Sequence, residues 1–227
     1  MRGIQRPGGI AALYQGLAYV VGMIGFLLVV NVGDVADPAQ KVALIGEHQG
    51  FLSLLHLVVY VFWGIAMVVL ALAVHERLQG GAPALMQVAS AFGLIWAGLV
   101  LASGMIYNVG MQAVVGLAGT APEQAAPTWL AIEAVFNGLG GGVEVVGGVW
   151  VLLLTWAALR AGGLPRALNH WGLGVGLAGL CTVVPAISEV SAAVFGLSQI
   201  VWFLWLGIVL LRSRAPHAAY EPTTAAA

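Results

Sequence analysis

Few side chains in this sequence can do chemistry, and the most telling of them sit inside apolar runs. Of 227 residues, 61% are hydrophobic and only 7% are charged. Glu144 stands in one of those runs. An ionised carboxylate in hydrocarbon costs roughly 3 kcal/mol or more unless it is protonated, paired or hydrated, so its placement marks a candidate site for a proton or a small solute. His56 is the second such residue, with an imidazole that both donates and accepts hydrogen bonds and titrates near neutral pH. Tyr60, Ser103, Asn137 and Gln199 add hydroxyl and amide groups at comparable places. These six form the candidate set for a small-solute or proton-coupled transporter, or a binder, with an outward-facing polar cavity. A second chemistry is intramembrane catalysis, with Glu144 or His56 as general base and Ser103 or Tyr60 nearby. A third has His56 and Glu144 holding a metal, which would need further ligands from Ser103, Tyr60 or a second subunit. No His-Glu-x-x-His motif occurs, and Ser103-Gly104 lacks any supporting nucleophile pattern.

Each candidate also has a purely structural reading. Glu144 protonated and bonded between helices needs no function. Nor does a neutral His56 bonded to a backbone carbonyl.

The elements that must position these residues are transmembrane helices. An ordinary soluble domain is about 25% charged, and a chain with so little charge has too few polar groups to cover its surface in water. Six runs approach the roughly 20 residues needed to cross a core of about 30 Å. They lie at about 9–31, 51–74, 84–108 (or on to 117), 128–159, 168–187 and 190–211. The first run follows Arg2 and Arg6 but is too long for a signal peptide, so we read it as a retained helix. Seven of the eight basic residues alternate with these runs. Arg2 and Arg6 precede the first, Arg77 follows the second, Arg160 and Arg166 follow the fourth, and Arg212 and Arg214 follow the sixth. Only Lys41 departs from the pattern. By the positive-inside rule both termini are cytoplasmic. The expected architecture is an all-α six-helix transmembrane bundle over 1–214 with short loops, and a disordered cytoplasmic tail at 215–227.

The arginines also set depth. Counting from Arg160 at about 1.5 Å per residue puts Glu144 roughly 7 Å outside the midplane; counting from Arg77 puts His56 about 13 Å outside it. If their helices touch, side chains or one water bridge that offset. Gln49, Ser53, His56, Tyr60, Trp63 and Met67 share one face of the second helix, which should point inward. Glu133, Asn137, Gly140, Glu144 and Gly148 share a stripe on the fourth. Glu133 and Glu144 stand about 16 Å apart on an unbroken helix, so Glu133 is expected to be solvated at the outer interface. Polar groups gather in the outer half, which predicts a cavity open to the outside and closed below by Trp, Met and Leu. His75 and His170, both near the inner boundary, are too shallow for an ordinary intramembrane haem.

The fourth run carries Gly138, Gly140, Gly141, Gly142, Gly147 and Gly148. Close helix packing is the simpler account; a break at 138–142 exposing backbone to a cavity is the sharper one. Stripes such as Gly172, Gly174, Gly176 and Gly179 permit homo-oligomers or internal packing. Formal net charge is −1, which offers no basic surface to nucleic acid. The single cysteine, Cys181, excludes an intrachain disulfide. The partners expected are the lipid bilayer and a small-molecule ligand, with lipid, quinone or haem as the alternatives to a soluble solute.

Three stretches carry a likeness: Gly9-Ile10-Ala11-Ala12-Leu13-Tyr14; Gly163-Leu164-Pro165-Arg166-Ala167-Leu168, followed by Gly172 to Gly179; and Trp202-Phe203-Leu204-Trp205-Leu206-Gly207. Together they resemble an uncharacterised bacterial family of six-helix integral membrane proteins, a domain of unknown function. The resemblance implies a bacterial plasma-membrane location. It transfers no activity and no catalytic residue.

Overall fold

A computed structural model of the chain describes residues 3–142 and 144–212. Arg2, Arg214 and the tail expected to be disordered lie outside these. Every regular element among the described residues is helical. The first helix, α1 (Gln5–Ile24), ends in a π-helical turn (Gly25–Val29). A short α2 (Pro38–Glu47) follows, then α3 (Gln49–His56), a π-helical stretch (Leu57–Phe62) and α4 (Trp63–Leu78). Next come α5 (Pro83–Thr120) and α6 (Pro122–Phe136), a π-helical turn (Asn137–Gly141), α7 (Val145–Ala161), α8 (Arg166–Cys181) and α9 (Ser188–Arg212). Among the described residues, five stretches are long and apolar enough to cross a membrane: Gln5–Val29, Gln49–Leu78, Pro83–Thr120, Pro122–Ala161 and Pro185–Arg212. The fifth expected run, 168–187, is shorter than its hydropathy suggested. Its helix is α8, only 16 residues long, because the chain turns at Thr182 and bends through Pro185.

Two segments expected to be outer loops are helical. Asp37 caps α2 by accepting hydrogen bonds from the Ala39 and Gln40 amides, and Pro38 opens its first turn, a standard helix start. The helix α5 runs 38 residues, about 57 Å at 1.5 Å per residue and far longer than a hydrocarbon core. Its outer part therefore projects beyond the bundle. Tyr107, Met111 and Val114 on that part pack with Val42 and Ile45 of α2 and Ala125 and Trp129 of α6 into a separate apolar cluster. Burying this second core holds an outer layer of helix over the bundle.

The main bundle is built by close backbone approach. The α1 helix packs against α9 and α4, α5 against α4, α6 and α7, and α8 between α7 and α9. At the α7–α8 crossing, a Cβ on Gly148 would lie 2.7 Å from the Gly176 carbonyl oxygen and 2.9 Å from the Gly179 carbonyl carbon. Gly172, Gly176 and Gly179 are all buried, and only Gly174 of that stripe is exposed with nothing near it. The stripe is thus taken up by internal packing. At the inner end, Arg77 Nε donates to the Gly163 carbonyl at 2.9 Å, tying α4 to the α7–α8 linker.

Candidate functional site

The glycine run does more than pack. A glycine costs about 1 kcal/mol relative to alanine in a helix interior, and Gly138, Gly140, Gly141 and Gly142 fall within five positions. The helix ends here. Gly140 leaves the helical region (φ 165°, ψ 13°), Gly142 also departs from it (φ −154°, ψ −16°), and α7 restarts at Val145 with Glu144 as its N-cap. Packing was the simpler expectation; the accumulated glycines instead produce both the close α7–α8 crossing at Gly148 and the break above it. Neighbouring helices hold the break in place. Ser103 Oγ on α5 donates to the Phe136 carbonyl at 2.9 Å, at the end of α6. The Glu144 amide, freed by the break, donates to Thr182 Oγ1 at 3.0 Å, and Thr182 donates to the Gly179 carbonyl at 2.7 Å. The first amides of a helix lack intrahelical acceptors, and Thr182 supplies one.

Below the break lies a cavity of about 60 Å³ lined by Tyr19, Val59, Tyr60, Trp63, Trp96, Val100, Gly140 and Glu144. Such a volume has room for a few water molecules or one small ligand group. Glu144 meets it from the N-terminus of α7, where the helix dipole favours a negative charge. Tyr19, Tyr60 and Trp96 line the cavity beside the carboxyl. Trp63 is 2% exposed, and its Nε1 has no hydrogen-bond partner among the described residues. Tyr19 and Trp63 meet edge to face at 6.1 Å, as do Trp63 and Trp96 at 4.8 Å, so aromatic rings form most of the wall. Beneath, Met67, Trp150, Trp202 and Phe203 continue a closed apolar core.

The cavity is not an isolated pocket. Tyr19, Val59, Tyr60 and Glu144 also line a groove of about 440 Å³ between α1 and α9.

The six sequence candidates separate. Glu144 and Tyr60 meet at the cavity. His56 does not line it. The imidazole is 1% exposed, its Nδ1–H donates to the Leu52 carbonyl at 2.8 Å, and it stacks on Tyr107 (3.5 Å) with Phe26 and Phe136 edge-on. Ser103 is buried and engaged at the helix break. Asn137 is exposed, facing an outer recess with Thr182 and Ser188. Gln199 is fully buried with both amide atoms unpartnered among the described residues, and it lines neither the cavity nor the groove. Among the described residues no three of His, Cys, Asp and Glu cluster as metal ligands, so His56 and Glu144 gain no third ligand of those types. His75 Nδ1 bonds Ser90 Oγ at 2.7 Å, while His170 is exposed.

Sequence reasoning missed Tyr19 and Trp96 as site residues. Tyr19, on the first run, reaches the Glu144 cavity. Its signal was a tyrosine within an apolar run on a helix that faces the bundle. Lys41, the basic residue off the arginine pattern, pairs with Glu133 at 3.0 Å. Glu133 is therefore held by α2 and not simply solvated.

A family model described as Domain of unknown function (DUF4386) matches residues 12–211. No curated protein and no solved structure matches the chain.

Proposed function

The chain belongs to that family, whose description assigns no activity, and from the geometry of the cavity we propose that it is a membrane-embedded binding protein for a small positively charged group held at Glu144. The carrying observation is a carboxyl at a helix break, facing a small cavity walled by Tyr19, Tyr60, Trp63 and Trp96. Aromatic faces attract cations, the carboxylate supplies the counter-charge, and among the described residues no Arg, Lys or His lines the cavity or the groove.

The same reading places six crossings in a bacterial plasma membrane with both ends cytoplasmic. In it α7 and α8 are the fourth and fifth crossings, shortened by the break and by the turn at Thr182, and α6 belongs to the outer layer. The arginine pattern supports this orientation. A binder is favoured over a transporter by the packed Trp150, Trp202 and Phe203 beneath the cavity. Catalysis by Ser103 is disfavoured because its hydroxyl is engaged with Phe136.

The test uses full-length protein in nonionic detergent, titrated with alkylammonium ions up to tetramethylammonium. Tryptophan fluorescence reports the cavity through Trp63 and Trp96. Saturable binding is expected, weakened roughly thirtyfold by Glu144→Gln, the loss typical of one partner of a buried charge pair. An unchanged titration in Glu144→Gln overturns the reading.

A further inference from the structure

The groove that joins the cavity to the flank of the bundle restricts what the ligand is. At their inner ends α1 and α9 touch: a Cβ on Gly207 would lie 2.9 Å from the Gly9 carbonyl oxygen. Above Gly16 they part. The gap is walled by Met23, Phe26 and Leu27 on one side and by Ala193, Gly196 and Leu197 on the other. Leu27 and Leu197 are each 58% exposed, on helices long and apolar enough to cross a membrane, so the trough opens on the lipid-facing flank. A Cβ on Gly196 would meet nothing within 4 Å, which keeps the trough clear. At its inner end the trough meets Tyr19, Tyr60 and Glu144, the polar side of the cavity.

An apolar channel that opens to lipid and stops at a carboxyl among aromatic rings fits one class of molecule. We propose that the site takes a single-chain amphiphile with an ammonium head, which enters sideways from the bilayer between α1 and α9. This rests on the reading of the cavity as a cation site. The head lies beside Glu144 among Tyr19, Tyr60, Trp63 and Trp96, and the chain lies along the trough. Lipid tails are as apolar as the trough walls, so the chain contributes route and orientation while the head contributes selection. An anionic head on the same chain meets the carboxylate with no basic side chain to offset it and is rejected.

The experiment uses the full chain in maltoside micelles, whose heads are uncharged. The probe is hexadecyltrimethylammonium carrying a diazirine in its chain, with the equivalent hexadecyl sulfate as control. Cross-linked peptides are mapped by mass spectrometry. The ammonium probe is expected to label 22–27 and 192–200, and excess unlabelled hexadecyltrimethylammonium should compete it away. Glu144→Gln should cut that labelling about tenfold. Gly196→Leu, which fills the trough where space is open, should cut it about fivefold and leave tetramethylammonium affinity within about twofold. Equal labelling by the sulfate probe, labelling that is not competed, or full labelling in Gly196→Leu overturns the amphiphile proposal. If tetramethylammonium binds and the chain probe fails, only this inference falls. If tetramethylammonium also fails, the cation site itself falls.

Discussion

The ring of His56 lies nearly parallel to that of Tyr60, 5.4 Å away, and Tyr60 is itself a wall of the cavity that holds Glu144. Both residues thus neighbour the environment of Tyr60, but in different ways. Around His56 the surroundings are Phe26, Tyr107 and Phe136, and the imidazole behaves as a flat ring in an aromatic stack. Glu144 instead shares the cavity that Tyr60 lines.

His56→Phe should therefore fold and bind normally. The Nδ1–H bond to Leu52 is lost, but a mid-helix carbonyl keeps its backbone partner, and the somewhat larger phenyl ring should cost about 1–3 kcal/mol in the packed stack. His56→Ala leaves a hole in the stack and should cost about 2–4 kcal/mol. Thermal unfolding in detergent measures both. Loss of tetramethylammonium binding in a folded His56→Phe protein would return His56 to the site.

Ser103→Ala should lower stability without touching the ligand. It removes the donor to the Phe136 carbonyl at the end of α6, and leaving that acceptor unmatched costs about 1–3 kcal/mol. Hydrogen exchange at 137–141 should accelerate, because Ser103 is the group on α5 that fixes the end of α6. A stable Ser103→Ala protein that no longer binds would show the hydroxyl to be part of the site.

Much of this was legible beforehand, for stated reasons. Apolar runs and alternating arginines report a membrane protein because hydrocarbon and leaflet charge act on composition alone. Glu144 stood out because its cost does not depend on its neighbours. What depth could not convey was azimuth: His56 and Glu144 lie at neighbouring levels, but only Glu144 lines the cavity. The π-helical stretch Leu57–Phe62 contributes, since it shifts the helical phase on which the face argument rested. Nor could hydropathy separate the outer helices from the crossings. The outer part of α5 is as apolar as the rest, because it serves a second core instead of lipid. The groove was invisible because it arises from divergence between α1 and α9, a tertiary fact.

Lys41 and Glu133 should show measurable coupling. Their side chains are 13% and 25% exposed, so the pair is only partly screened, and it links α2 to α6. A double-mutant cycle with Lys41→Met and Glu133→Gln should give about 0.5–1 kcal/mol, shrinking as salt rises. A coupling near zero at low salt would mean that the outer helices are held by their apolar cluster alone.

Gly148 and Gly174 make a sharper contrast, since both belong to glycine-rich helix faces yet meet opposite surroundings. A Cβ at Gly148 would run into the backbone of Gly176, Gly179 and Leu180, and backbone cannot rotate away. Gly148→Val should cost about 3 kcal/mol through forced separation of α7 and α8. Because α7 begins at Glu144, the same separation should also widen the cavity and weaken tetramethylammonium binding. Gly174 has nothing within 4 Å, and Gly174→Val gains a few tenths of a kcal/mol in helix propensity. Thermal unfolding ranks the two variants, and light scattering of Gly174→Val adds a second reading. An unchanged mass assigns the glycine face to internal packing, whereas a change in mass would show that Gly174 is the one member of the stripe that meets another copy.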